Sequence, residues 1–167
     1  FLPAGAHTAG FLVFLFGLGV VFSFILIFVT VSLLSYHPSD PSINRIQTSG
    51  QLHNLFGPAG AHTAGFLVFL FGLGAFCISF VLLIVTVHIF RAYAKHTIFI
   101  ALAGGILLMI TTGGLLSLYQ PHYQVWGKRF SSGGIVGIPL AGISESYIHT
   151  TGSFIFLTTA WIIAFIM

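Results

Sequence analysis

The chain has 167 residues, 57 % of them hydrophobic and only 4 % charged, with a net charge of +3. A water-soluble domain carries about 25 % charged residues, so this composition excludes a globular surface in water and makes the bilayer the solvent. The charge is too small and too scattered for a nucleic-acid-binding face, and the continuous apolar runs lack the alternation of a membrane β-barrel.

A transmembrane helix needs roughly 20 consecutive apolar residues. The charged residues Asp40, Arg45, Arg91, Lys95, Lys128, Arg129 and Glu145 separate uncharged stretches long enough for four such helices. The expected fold is a single all-α polytopic membrane domain, with four transmembrane helices and a short interfacial or re-entrant helix before the fourth.

The first span is expected from about Phe11 to Leu34, and the loop Ser35–Phe56 follows it. Pro38 and Pro41 lack the N–H that a helix interior needs. Ser39 and Asp40 between them favour a turn, and Tyr36 suits headgroup level. The run Asn44–Gln51 has no apolar face and should be solvated.

The second span is expected from about Ala61 to Phe90, with Pro58 in its first turn, where a missing N–H costs nothing, and Asn54 as a possible cap. Cys77 sits alone in an apolar run and reads as a buried structural thiol. The junction 91–96 is short, which makes the second and third spans antiparallel neighbours.

The third span, about Thr97 to Leu118, carries Gly104-Gly105 and Gly113-Gly114, and small residues let membrane helices approach closely. Tyr119, Trp126, Lys128 and Arg129 read as an interfacial belt. The apolar segment Ser131–Gly142 is too short to span and reads as a helix lying at the surface, which Pro139 is expected to break or tilt. The fourth span runs from about Thr150 to Met167. The missing initiator Met and the abrupt end at Met167 suggest that the natural protein extends in both directions. Loops 35–56 and 119–149 share one side. Arg91 and Lys95 on the other side compete with Arg45, Lys128 and Arg129, so the positive-inside rule leaves orientation open.

Pro3–Gly19 and Pro58–Gly74 are identical, residue for residue. Structural repeats share a pattern rather than every letter. A recent duplication, an engineered segment or a mistaken sequence assignment would each produce this identity. The last two are favoured, and the first copy is the anomalous one, because only the second is followed by a natural flank. Peptide mass mapping that finds a unique peptide ending in Gly19-Val20-Val21 would show the copy to be real.

Three stretches resemble the N-terminal membrane domain of FtsK/SpoIIIE-type DNA translocases of bacterial cell division. They are Leu34–Ser42 (LSYHPSDPS), Leu52–Ala61 (LHNLFGPAGA) with Leu70–Leu73, and Arg129–Gly137 (RFSSGGIVG) with Ile148–Gly152. Together they cover roughly residues 20–167. The resemblance implies four spans in the bacterial inner membrane, both termini cytoplasmic, and loops 35–56 and 119–149 facing outward. It implies a homo-oligomer, hexameric in the family, with division-site membrane proteins as partners and a role in chromosome segregation. DNA would be engaged only through a motor domain absent from this chain. No GxxxxGK[ST] phosphate-binding loop is present, so this chain is not expected to be an enzyme.

The eight histidines invite a metal or haem reading. All lie at expected span ends or in loops, whereas bundle ligands usually face the interior. No metal or cofactor site is therefore assigned. No ionisable Asp, Glu, Lys or Arg falls within a span, which argues against a transporter. Glu145 near Lys128 and Arg129 is expected to be solvated rather than paired.

The residues expected to meet partners or sister subunits are Tyr36, His37, Pro38, Asp40, Pro41, His53, Asn54, Gly60, Gly133, Gly134, Gly137 and His149. The expected function is a membrane anchor with oligomerisation and partner-docking roles. A small structural subunit of a larger membrane complex is the alternative, and a haem-binding electron carrier a weaker one. A reading frame continuing past Met167 into a phosphate-binding loop separates the first from the second.

Overall fold

The computed structural model describes residues 4–42, 52–93, 95–125 and 127–167. Five α-helices follow in order: α1 Ala4–Leu34, α2 Gly57–Phe71, α3 Cys77–Phe90, α4 Lys95–Tyr119 and α5 Gly134–Ile166. A 3-10 turn, Gly72–Phe76, joins α2 to α3, so these two form one crossing. The four resulting units, α1, α2–α3, α4 and α5, are each long and apolar enough to cross a membrane. The chain is a multi-pass, predominantly helical membrane protein. Phe14, Phe24, Phe99 and Phe165 are exposed, which is costly in water and appropriate against lipid.

Among the described residues the strands are β1, His122–Val125, and β2, Lys128–Ser131, an antiparallel hairpin pairing His122 with Ser131 and Val125 with Lys128. The aromatic and basic composition of this stretch suggested only a belt at the membrane surface. Gly127, with φ +71, lies in the turn. Phe130 of β2 is buried and pins the hairpin to the bundle, its ring 5.5 Å from Tyr36 and 6.1 Å from Phe76.

α1 lies on one flank of the α2–α3 crossing and packs on little else, while α4 and α5 lie on the other flank with the most extensive interface of the fold. Two apolar clusters fill the contacts. Val29, Leu33, Ala64, Val68 and Phe130 hold the end carrying the long loops. Val81, Val85 and Ile89 hold the junction end, with Leu18 and Ile98 against them. Between the ends, Trp161 Nε1–H donates to Thr112 Oγ1 at 3.0 Å and Cys77 Sγ lies 3.6 Å from the same hydroxyl. Cys77 is half-buried in that contact.

Where α2 ends, α4 passes and α5 begins, glycines bring backbones together. A Cβ on Gly113 would fall 2.9 Å from Gly133 Cα and 3.0 Å from Phe71 O. One on Gly137 would fall 2.8 Å from the carbonyl carbon of Gly113. Gly134, with φ +58, would place a Cβ 2.5 Å from Phe69 O. This seam seats the first turn of α5 below the end of α4.

α5 is not one straight rod. The side chains of Leu140 and Leu157 both lie over Gly114, within 3.5 Å of where its Cβ would be. Seventeen residues of straight helix would separate them by about 25 Å. The helix instead folds back at His149, whose φ of 56° and ψ of 170° are non-helical. A non-glycine residue pays about 1–3 kcal/mol for such a conformation. Ser153 Oγ donates to His149 O at 2.9 Å, and Thr150 Oγ1 donates to the Glu145 carboxylate across the corner. The helix runs on through Pro139, where a break or tilt was expected: Pro139 lies within the helical first half of α5 and is exposed.

Candidate functional site

The long-loop end of the bundle is the polar, built part of this molecule. Its foundation is the last turn of α1, whose final carbonyls have no partner inside the helix. Ser35 Oγ donates to Val31 O at 2.7 Å and accepts the Leu55 N–H at 3.2 Å. Asn54, buried, donates Nδ2–H to Ser32 O at 2.8 Å and accepts the Phe56 N–H on Oδ1 at 3.1 Å. Asn54 was expected as the cap of the second span. The capping position is instead Phe56, without a side-chain cap bond, and Asn54 serves to join the far end of the loop to α1. Pro58 does lie in the first turn of α2.

Asn54→Ala therefore leaves the Ser32 carbonyl and the Phe56 N–H without their partner and is expected to cost about 2 kcal/mol. Reversible unfolding in mixed micelles measures this. A change within about 0.5 kcal/mol of zero, as at an ordinary surface position, would show that the two bonds do not hold the loop.

The second element is Asp40, whose carboxyl is buried although it lies in a loop. Its Oδ1 accepts the His53 backbone N–H at 3.0 Å and the His53 ring Nδ1–H at 3.0 Å. Because a carboxylate only accepts, the proton in this bond lies on His53 Nδ1. The rings of His37 and His53 stack with centroids 4.3 Å apart, and Ser39 bonds to His37 Nδ1 through its N–H at 3.3 Å and its hydroxyl at 2.6 Å. Asp40 Oδ2 is buried with no partner among the described residues. The expected solvated run Asn44–Gln51 lies outside the described residues.

The third element is a groove of about 390 Å³ lined by Tyr36, Pro38, Ser42, Gly65, His122 and Arg129, among others. Ser42 closes it from below: a Cβ on Gly65 would come 2.5 Å from Ser42 Cβ, so glycine at 65 lets the loop lean on α2. The hairpin forms the opposite wall, held by Leu73 N–H to Ser132 O at 3.0 Å and Ser132 N–H to Pro121 O at 3.1 Å.

Of the residues singled out from sequence, Tyr36, His37, Pro38, Asp40, Pro41, His53 and Asn54 all fall in this one loop and its anchor. Gly60, Gly133, Gly134 and Gly137 are buried in contacts within the chain: Gly60 against Asn54 and Phe56, the others in the glycine seam. His149 is exposed at the reversal of α5. Among the described residues Glu145 meets Thr150 and makes no ion pair with Arg129. Of the histidines considered for haem, His88 bonds Ile84 O at 2.7 Å, while His62 and His149 are exposed. Sequence reasoning missed Ser42, His122 and Arg129 as walls of a groove. The one available signal was Phe130, an apolar ring between Arg129 and Ser131.

Comparison with known proteins adds three observations. A family profile described as the 4TM region of DNA translocase FtsK/SpoIIIE matches residues 18–167, so it begins where the first copy of the repeated segment ends. A DNA translocase FtsK from Vibrio vulnificus is 31 % identical over 140 residues, covering 80 % of this chain and 14 % of that protein. Proteins of the same name from Rickettsia typhi and Pseudomonas syringae are 31 % identical over 121 residues and 27 % identical over 142, covering 72 % and 80 % of this chain and 16 % and 17 % of theirs. This chain thus spans about a sixth of the length of the curated relatives it matches. No solved structure matches it.

Proposed function

The chain belongs to the FtsK/SpoIIIE four-transmembrane family, and from that premise we propose that it anchors a DNA-translocating motor in the bacterial inner membrane at the site of division. It matches the membrane region of a DNA translocase family, about a sixth of the length of those relatives. In this reading both termini are cytoplasmic, the long-loop end faces outward, and DNA is engaged only by the motor.

The observation that carries the docking role is the polar loop itself. A passive anchor needs only a short turn between spans. Here Asn54, Ser35 and Asp40 fasten the loop at several points, and the hairpin faces it across a groove with Arg129 and His122 on the wall. Fixed polar surfaces of this kind lose less entropy on binding than mobile ones. Tyr36, His37, Pro38 and Pro41 are the residues proposed to meet other division proteins. Association with sister copies would use the exposed flanks of α1 and α5 rather than the buried glycines.

A fluorescent fusion of the chain, expressed in dividing bacteria, is expected to collect at mid-cell. A Tyr36→Ala, Pro38→Ala, Pro41→Ala variant is expected to stay in the membrane and lose that enrichment. Wild-type fluorescence spread evenly around the envelope would overturn the anchoring reading. In the same cells a reporter enzyme active only outside the cytoplasm, inserted at Gly50, should be active, and its silence would reverse the orientation.

A further inference from the structure

We propose that His37, Asp40 and His53 form a binding site for a divalent transition-metal ion of the zinc type. One donor atom from each of the three lies within 4.8 Å of the others. The residues come from both sides of the loop, so no local spacing motif announces them. The strongest single observation is Asp40: its carboxyl is 3 % exposed, and its Oδ2 has no partner among the described residues. A buried carboxylate oxygen left unmatched is costly, and a cation is the partner that satisfies it.

The donor set selects the kind of ion. Two imidazoles with one carboxylate suit zinc, copper or nickel, whereas magnesium and calcium prefer all-oxygen shells. Three protein ligands leave a fourth position for water or for a group from a partner. One surrounding bond is of the sort that orients ligands: the His53 backbone N–H holds Asp40 Oδ1. The His37 Nδ1 now accepts the Ser39 N–H, so binding a metal through Nε2 moves the ring proton to Nδ1, where the Ser39 hydroxyl can accept it. The His53 side chain is 43 % exposed, which provides a path of entry.

Zinc sits about 2.0–2.2 Å from such donors in a tetrahedron, so a loaded site holds them about 3.3–3.6 Å apart. Loading therefore draws the donors, now within 4.8 Å of one another, closer together and exchanges the present ring stack for coordination. It also clamps residues 37–40 to residue 53, closing the loop at its base. The site is independent of which protein the loop meets.

The test is equilibrium Zn²⁺ binding to the purified full chain in detergent micelles, by competition with a chromogenic chelator, with Co²⁺ absorption as a second readout. One ion per chain is expected. Asp40→Asn, His37→Gln and His53→Gln should each weaken binding at least tenfold, and His62→Gln and His122→Gln should leave it unchanged. Because the His53 side chain is exposed, His53→Gln carries the test even if Asp40→Asn fails to fold. Wild-type binding no stronger than that of a His37→Gln, His53→Gln double variant would overturn the site. So would equal weakening by the two control substitutions, which would mark the binding as adventitious.

Discussion

Gly72→Ala is expected to cost about 3 kcal/mol or more, whereas Gly17→Ala leaves the protein as stable or up to about 1 kcal/mol more so. The two glycines hold the same place in two identical segments, Pro3–Gly19 and Pro58–Gly74. Local sequence is therefore held constant and only the surroundings differ. Gly17 lies inside the continuous helix α1 with nothing near its missing Cβ, so alanine gains helix propensity there. Gly72 has φ +58 and ψ −134, a region that alanine occupies only at a cost of about 1–3 kcal/mol. Its Cβ would also strike the Ser131 carbonyl oxygen and come 2.5 Å from Ser132 O. Those are backbone atoms and cannot swing aside, which adds about 1–3 kcal/mol of overpacking. The Ser132 carbonyl that accepts the Leu73 N–H accounts for the interruption of the helix at the second copy. Unfolding midpoints of both variants in the same micelles decide the matter. Equal effects at the two positions would mean that the break belongs to the local sequence and not to the hairpin.

The second large effect is expected at Gly137. Its Cβ would lie 2.8 Å from the carbonyl carbon of Gly113 and 2.9 Å from Gly114 N. Valine adds two more methyls to that position, so Gly137→Val forces α5 off α4 at a cost of about 3 kcal/mol or more. Little solvophobic force acts between helices in lipid, so close packing is what holds them together and its loss is not recovered elsewhere. Gly142→Ala is the matched control: it lies in the same helix, exposed, with nothing within 4 Å. Protease sensitivity of the 119–134 connection, alongside the unfolding midpoint, reports the separation. A Gly137→Val protein as resistant as Gly142→Ala would show that the seam tolerates bulk.

How much of this was legible in the sequence depends on whether the signal was local. Sparse charge and continuous apolar runs suffice to read a helical membrane protein with four crossings, because the bilayer imposes length and composition alone. Asp40 and His53 are thirteen positions apart, and nothing in either neighbourhood announces that one carboxylate oxygen takes both N–H groups of the other residue. Asn54 looked like a cap because it precedes a helix; its actual partner, Ser32 O, belongs to a different helix. Pro139 carried a familiar warning of a break, yet the reversal came at His149, a residue with no preference for that backbone. The repeated segment makes the limit plain: one string of letters is a straight helix in α1 and an interrupted one at Gly72.

The flank position of α1 has a mechanical consequence. Tension applied along the other crossings is shared among interlocked backbones, while α1 adheres through one greasy stripe and the fastenings at its C-terminal tip. Peeling would begin at its far end, opposite Ser32 and Ser35, and would stall where Asn54 and Leu55 grip the last turn. The loop is thus the clasp that keeps a weakly seated rod in place.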